Sequence, residues 1–206
     1  MRKKETSKWE HALSLSFCFI ALGMLSGCVA GQSIRLDYSP SIVSKPVSSS
    51  QTAGVVVRDE RPFVKDGTKS PDYLGHFRAG FGNTWGVTTK GNVPLAELME
   101  KDIREELTAA GLKTTSQNPS RKLMVDIVDY NFDSYQNAKM WYEVNVKVLD
   151  STGNVLAENK IKETHVIRGS VMTGPKNAVM RETPIIYKKL ITDIVHRGNT
   201  MDALSQ

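Results

Sequence analysis

Three histidines beyond the first thirty residues are the side chains best suited by type to metal binding or acid–base catalysis. His76, His165 and His196 are far apart in the sequence and fall on different predicted elements. Catalytic and metal sites need several such groups to converge. The sequence contains no H-E-x-x-H, no closely spaced cysteine pair and no G-x-S-x-G, the short motifs typical of such sites. We therefore predict no metal, no cofactor and no enzymatic activity.

Three aspartates, Asp59, Asp126 and Asp129, lie near the ends of predicted strands. A hydrolase could use two such carboxylates as acid and base. Solvent-facing carboxylates on a sheet are far commoner than catalytic ones. An envelope hydrolase acting through Asp126 and Asp129 is therefore the least favoured of three functional hypotheses.

Residues 70–92 combine five glycines with an aromatic residue at every fourth position. The aromatic residues are Tyr73, Phe77, Phe81 and Trp85. Each glycine inside a helix would cost about 1 kcal/mol, so we predict an extended segment with all four aromatics on one face. Exposed aromatics can stack on a sugar ring or fill a partner's pocket. These four residues and Arg78 are thus the candidates for ligand or partner binding, although core packing is the favoured interpretation of the aromatics.

The remaining residue with distinctive chemistry is Cys28. It follows a basic stretch at residues 2–8 and an uncharged run at residues 12–24. A helix needs about 20 residues to cross a bilayer, so this shorter run is typical of a secretory signal. Cys18 lies inside the run and would be removed with it, which leaves Cys28 without an intramolecular disulfide partner.

The sequence Leu25-Ser26-Gly27-Cys28 resembles the lipobox of bacterial lipoproteins. The resemblance implies a diacylglycerol on the Cys28 thiol, cleavage just before it, and acylation of the new amino group. Two or three acyl chains hold a protein firmly on a membrane, whereas one chain holds it only marginally. In enteric-type bacteria, lipoproteins with aspartate just after the cysteine tend to stay in the inner membrane. Val29 and Ala30 follow the cysteine here, so the resemblance favours the outer membrane, with the domain facing the periplasm.

The charge of the chain argues against nucleic-acid binding. The net charge is +5, but four basic and two acidic residues precede Cys28, so processing leaves 23 basic and 20 acidic residues. Basic and acidic residues are interspersed along the chain and do not form the basic stripe that nucleic-acid binding requires. We predict no nucleic-acid partner.

We divide the chain into a signal peptide at residues 1–27, a serine- and proline-containing linker at 28–53 and one domain at 54–206. The linker is predicted to be a spacer that holds the domain off the membrane. The alternative for Ile34, Arg35 and Leu36 is an edge strand that lies on the domain.

The domain is predicted to be α+β, an antiparallel sheet with two helices packed on one face. Residues 54–58 predict a buried central strand, and residues 122–132 predict a strand with a bulge near Val128. Alternating apolar residues at 140–148 and a run at 155–167, separated by a turn, predict a hairpin.

Two segments have helical periodicity. An apolar stripe in residues 94–110 predicts a helix that ends at Gly111. A second stripe predicts a terminal helix, which begins either at Pro184 with Thr183 as its cap, or near Lys176 with Pro184 inside it.

The order of these elements resembles the YajG-like bacterial lipoproteins. The similarity rests on the lipobox, on Val57-Arg58-Asp59-Glu60-Arg61-Pro62 after the first strand, on Leu123-Met124-Val125-Asp126-Ile127 and on the turn Ser151-Thr152-Gly153-Asn154. It implies helices covering one face of an antiparallel sheet and a terminal helix that begins near Lys176. It implies a fold and a location but no mechanism. Segment 70–92 is longer than this family leads us to expect.

The favoured function is a non-enzymatic module of the cell envelope. It would be anchored by lipid on Cys28 and would contact a protein partner or a second copy through a sheet edge or through residues 73–85. The alternative is a protein that binds cell-wall glycan or lipid through Tyr73, Phe77, Arg78, Phe81 and Trp85.

Overall fold

A computed structural model describes residues 32–40, 46–78, 83–135, 137–169 and 175–206. The predicted residues Cys28 and Phe81 lie outside these ranges. The strands are β1 (Gln32–Ile34), β2 (Thr52–Asp59), β3 (Tyr73–Arg78), β4 (Thr84–Thr89), β5 (Lys113–Thr114), β6 (Arg121–Ser134), β7 (Ala138–Asp150) and β8 (Val155–Ile167). The helices are α1 (Pro62–Lys65), α2 (Leu95–Ala109), α3 (Lys176–His196) and α4 (Thr200–Ser205).

All eight strands belong to one mixed sheet built around β6. One edge of β6 pairs with β7, which pairs with β8, and both pairings are antiparallel. The other edge pairs in parallel with β2 and, further along, with the end of β3. Beyond β2 lies β5, and beyond β3 lie β4 and then β1.

The α+β class is confirmed, but the purely antiparallel sheet is wrong. The pairings of β2 with β6, β2 with β5, β3 with β6 and β1 with β4 are parallel. Parallel neighbours need a long connection between them, and the chain from β2 to β6 supplies one. The predicted hairpin of β7 and β8 is antiparallel as expected, because its two strands follow one another through a short turn.

Arg61 fills the gap on β6 between the end of β2 and the start of β3. Its side chain is fully buried and forms two hydrogen bonds to the Asp59 carboxylate, of 2.6 and 2.8 Å. The same guanidinium donates to the carbonyls of Pro71 at 2.9 Å, Tyr73 at 2.6 Å and Tyr130 at 3.4 Å. Arg61 therefore has a structural role, because it supplies donors where the strand ladder is interrupted.

The core lies between one face of the sheet and the helices α2 and α3, as predicted. Alternate residues of β6 and β7 point into it, and the bulge predicted at Val128 is confirmed by a register shift between Ile127 and Asp129. The helix α2 buries the predicted stripe, and α3 continues through Pro184 from Lys176. The alternative in which the helix begins at Pro184 is wrong, since the preceding turns are helical.

Part of the predicted linker belongs to the folded domain. Gln32, Ser33 and Ile34 form β1 on the edge of β4, and Ile34 and Leu36 are buried in the core. Val47 donates its backbone N–H to the Ala110 carbonyl at 2.8 Å. The edge-strand alternative is thus the observed one for this segment, because the β4 edge offers unpaired backbone groups and the core accepts the apolar side chains.

Two acidic residues of α2 are buried against α3. Glu106 bonds to His196 Nε2 at 2.8 Å and accepts a hydrogen bond from the Tyr38 hydroxyl. Asp102 accepts one from the Tyr187 hydroxyl at 2.7 Å. Burial raises the pKa of Asp102, and the bond from Tyr187 partly opposes that rise. These contacts tie the helices to each other and, through Tyr38, to the segment that follows β1.

Candidate functional site

The face of the sheet opposite α2 and α3 is polar, and we call it the polar face. On β7 the residues Lys139, Trp141, Glu143, Asn145 and Lys147 point to it, while the residues between them are buried in the core. This alternation follows from the two-residue period of a strand. The polar face is therefore the large surface that the two long helices do not cover.

A groove of about 840 Å³ crosses the polar face at the end of the sheet where β6 turns into β7. We call it the Trp141 groove. Residues that line it include Arg78, Asp129, Asp133, Tyr135, Asn137, Lys139, Trp141, Glu143, Lys162 and Thr164. Its volume lies within the range of small-molecule sites, about 300–1,000 Å³.

The indole of Trp141 forms the central surface of this groove. Its cross-strand neighbours are Asn131 on β6 and Thr164 on β8, both smaller than the indole. The indole Nε1 donates a hydrogen bond of 2.8 Å to Asp129 Oδ2. This bond uses the polar atom of the ring and fixes the ring's orientation, so the aromatic surface is organised before any ligand arrives.

Ion pairs surround the indole on both sides. Arg78 pairs with Asp133 through a 2.7 Å bond from Nε, and hydrogen bonding to Arg78 is the main reason that the pKa of Asp133 is lowered. Glu143 accepts from Lys160 at 2.6 Å and from Lys162 at 2.7 Å, and these two bonds lower the pKa of Glu143. Both carboxylates are therefore ionised and compensated at neutral pH.

A tyrosine and a histidine extend the Arg78–Asp133 pair. His76 Nε2 lies 3.3 Å from Asp133 Oδ1, and His76 Nδ1 lies 3.1 Å from the Tyr73 hydroxyl. Burial is the main cause that lowers the pKa of His76. The ring of Tyr73 is itself covered by Phe63 of α1, with ring centres 5.6 Å apart.

The structure does not bring the five predicted binding residues together. Phe77 is buried against Phe132, with ring centres 5.4 Å apart, and Tyr73 is buried beneath Phe63. Trp85 is 41% exposed, and Arg78 belongs to the Trp141 groove. Phe81 lies outside the described residues.

The prediction that these aromatics share one face is wrong for Tyr73. A register shift between Tyr73 and Gly75 places an extra residue, Leu74, in β3. After this bulge Phe77 lies opposite Trp85 on the core side. Tyr73 instead points to the polar face beside His76 and Arg78, because one inserted residue reverses the alternation.

Each aspartate weighed for hydrolysis has a specific partner. Asp59 holds Arg61, Asp126 pairs with Arg58 through a 2.7 Å bond, and Asp129 accepts from Trp141. The three histidines lie apart from one another. His76 lies beside Asp133, His165 beside Tyr142 and His196 beside Glu106. Within the described ranges, no three His, Cys, Asp or Glu side chains are grouped to hold a metal ion.

The sequence-based prediction did not include Trp141 and Tyr135, which line the groove. The sequence signal for Trp141 is the strict alternation of apolar residues in β7. Met140, Tyr142 and Val144 point into the core, so Trp141 lies on the opposite face. Tyr135, which is 67% exposed, lies at the turn between two long strands, where side chains are free to project.

Comparisons with known proteins show a fold and nothing beyond it. No protein-family model matches the sequence, and no curated protein matches it. The crystal structure of protein XCC0632 from Xanthomonas campestris, family-model DUF330, aligns with a TM-score of 0.62 and 14% identity. The alignment covers 84% of this chain and 96% of that chain, so the two share their fold over almost the whole domain.

Structures with lower scores include a PelC dodecamer from Paraburkholderia phytofirmans and a minor lipoprotein from Acinetobacter baumannii. The first has a TM-score of 0.47 and 13% identity over 82% of this chain and 95% of that chain. The second has a TM-score of 0.41 and 11% identity over 71% and 91%. The resemblance to the YajG-like proteins has no counterpart in these comparisons and stays a prediction. In the part of the chain that the structure describes, no helix is both long and apolar enough to span a membrane.

Proposed function

We propose that this chain is a lipid-anchored, non-enzymatic binding module of the bacterial cell envelope. The observation that carries the binding role is the polar face with its preformed Trp141 groove. Arg78 is already paired with Asp133, and Glu143 with Lys160 and Lys162, and the indole is held in place by Asp129. A groove with an oriented aromatic surface and polar groups held in place is suited to recognition of a ligand or partner.

The anchor in this proposal is the lipid on Cys28, in the outer membrane with the domain facing the periplasm. The lipobox resemblance and the charge pattern of residues 1–24 support it. In cells that export the chain, we expect mass spectrometry of the N-terminal peptide to find Cys28 as an acylated first residue. We expect the Cys28→Ser variant to leave the membrane fraction. An unmodified thiol on an exported soluble protein would refute the anchor.

The proposal also names the edge of β8 as a contact for a protein partner or a second copy. This strand pairs on one side only within the described sheet, and three apolar side chains are exposed on it: Val155, Leu156 and Val166. An unpaired edge with exposed apolar side chains favours strand addition.

Photo-crosslinking in intact envelopes tests this contact. A photoreactive residue at Val166 should give a discrete higher-mass adduct, whereas the same residue at Lys65, exposed on α1, should not. Equal labelling from both positions, or none from Val166, would contradict the edge contact.

Replacement of Asp126 and Asp129 by Asn tests the non-enzymatic role, because any envelope hydrolysis that the two changes abolish would contradict it.

A further inference from the structure

We infer that the Trp141 groove binds an uncharged saccharide chain, with one pyranose ring stacked on the indole of Trp141. This inference rests on the proposed function, which makes the polar face the recognition surface. It differs from the sequence-based glycan hypothesis in its residues, since Phe77 and Tyr73 are buried and the groove uses Trp141 and Tyr135 instead.

The shape of the groove suits a flat ring with polar edges. Asn131 and Thr164 are the direct cross-strand neighbours of Trp141, and both are smaller than the indole. Tyr135 and Asn137 line the groove at the turn between β6 and β7. Sugar rings present an apolar face of C–H groups and a rim of hydroxyls, and an aromatic plane bounded by polar groups complements both.

The charges favour an uncharged ligand over a charged polymer. Arg78 is neutralised by Asp133, and Glu143 is neutralised by Lys160 and Lys162. A ligand of either charge would meet these pairs, and the other two charged residues beside the indole, Lys139 and Asp129, are of opposite sign. Hydroxyl groups need not break the ion pairs, because paired carboxylates keep free lone pairs and Arg78 uses only Nε and one terminal nitrogen on Asp133. Hydrogen bonds to ionised groups are also the stronger ones.

The polar lining argues against an acyl chain in the same groove. Seven of the named lining residues carry a charge or an amide: Arg78, Asp129, Asp133, Asn137, Lys139, Glu143 and Lys162. Burying these groups against hydrocarbon would leave them without water or a replacement partner.

The test uses the purified lipidated chain in a detergent without a sugar headgroup, because a glycosidic detergent would compete for the groove. The chain has three tryptophans, and only Trp85 and Trp141 follow Cys28. Its ¹⁵N spectrum should therefore contain two indole signals. Titration with tetrasaccharides of β-1,4-linked N-acetylglucosamine and of β-1,4-linked glucose should shift the Trp141 signal with at least one of them and leave the Trp85 signal in place.

Variants distinguish stacking from a general effect. Trp141→Ala should weaken binding about tenfold or more, and Trp141→Phe should retain part of it. Tyr135→Ala changes an exposed residue, so it keeps the test valid even if Trp141→Ala fails to fold, and it should weaken binding severalfold. Trp85→Ala is the matched control and should bind as the unaltered chain does.

Three results would overturn the inference. These are no shift of the Trp141 signal with either tetrasaccharide, equal shifts of both indoles, or unchanged affinity in Tyr135→Ala and Trp141→Phe. If a peptide from a crosslinked partner shifts Trp141 while the sugars do not, the saccharide inference fails and the binding module stands. If the sugars bind but Cys28 carries no lipid, the anchor fails and the saccharide site stands.

Discussion

Two arginines three residues apart show how burial decides the role of an ion pair. Arg58 and Arg61 each bind a carboxylate through two nitrogens, Asp126 and Asp59 respectively. The side chain of Arg58 is 49% exposed, whereas that of Arg61 is fully buried and also bonds three carbonyls. Only the buried pair is expected to contribute strongly to the free energy of unfolding, since exposed pairs are screened by water.

We expect Arg61→Met to lower the free energy of unfolding by about 3–5 kcal/mol, because it leaves a buried carboxylate and carbonyls without donors. Arg58→Met, the matched control, should lower it by less than about 1 kcal/mol. Urea unfolding followed by circular dichroism measures both. Similar losses in the two variants would show that Arg61 does not bridge β2 and β3 as described.

The Arg78–Asp133 pair should make stability depend on acid pH. Hydrogen bonding to Arg78 lowers the pKa of Asp133 in the folded chain, so the native state binds fewer protons than the unfolded state there. The stabilisation is present above the ordinary aspartate pKa of 3.8 and is lost as the pH falls below it.

Between pH 5 and about pH 3, we expect the free energy of unfolding to fall less in Arg78→Gln than in the unaltered chain. Urea unfolding at each pH measures this difference. Lys139→Gln is the control, because Lys139 lies opposite Asp133 across the strands but has no hydrogen bond or ion pair to it. A change in acid sensitivity for Lys139→Gln, or none for Arg78→Gln, would contradict the assignment.

At the scale of elements, β3 depends on a glycine that its bulge requires. Gly75 has φ of +155°, and an added Cβ would lie 2.4 Å from the Phe132 ring and 2.5 Å from the Phe132 carbonyl oxygen. The backbone of β3 therefore approaches β6 so closely that only glycine fits.

We expect Gly75→Ala to destabilise the chain by about 3 kcal/mol or more, because both the clash and the backbone conformation oppose it. Gly153→Ala, in the turn before β8, should cost about 1 kcal/mol, since its φ is +93° but nothing lies within 4 Å of the added Cβ. Thermal unfolding of both variants provides the comparison. A mild effect at Gly75 would refute the close approach of β3 to β6.

Two buried threonines, Thr183 in α3 and Thr200 in α4, allow a second comparison. Thr183 is fully buried and its hydroxyl has no hydrogen-bond partner. The hydroxyl of Thr200, also buried, accepts from Asn159 at 2.8 Å and donates to the Arg197 carbonyl at 3.2 Å. We expect Thr183→Val to raise the free energy of unfolding by about 1 kcal/mol and Thr200→Val to lower it by about the same amount. Chemical unfolding of the two variants gives both signs, and a loss for Thr183→Val would show that its hydroxyl is bonded.

For the whole molecule, local periodicity predicted most elements but not how they pair. The strands β6, β7 and β8 and the helix α2 could be predicted because their apolar residues recur at the period of their own element. The parallel pairing of β2 with β6 depends on residues 68 positions apart in the chain, which no local pattern encodes. The bulge at Leu74 lies next to Gly75, whose backbone approaches the distant Phe132, and it places Tyr73 on the other face from the one predicted.

In the candidate site, too, only what a local sequence pattern reveals could be predicted. Arg78 could be predicted, because an exposed cation within an aromatic segment is visible in the sequence. The Trp141 groove could not, because its lining comes from β3, β6, β7 and β8, and only the folded sheet places them side by side. Sequence reasoning therefore named one residue that lines the groove, Arg78, but not the aromatic residue Trp141.

Besides the pairing of β1 with β4, residues 32–40 contact the helices through one hydroxyl whose loss should be measurable. Tyr38 donates a hydrogen bond to the buried Glu106, which also bonds to His196. Burial, and then this bond, raise the pKa of Tyr38, so its hydroxyl stays protonated as a donor. The contact fixes residues 32–40 across α2 and α3.

We expect Tyr38→Phe to lower the free energy of unfolding by about 1–2 kcal/mol, because it removes a donor to a buried carboxylate while keeping the ring. Amide hydrogen exchange should accelerate in residues 32–40 more than in β6 and β7, since the sheet keeps its own ladder. Tyr135→Phe is the control, because that hydroxyl is exposed and should contribute nothing measurable. Uniform acceleration across the domain would mean that Tyr38 supports the core as a whole, whereas no change would mean that β1 alone holds the segment in place.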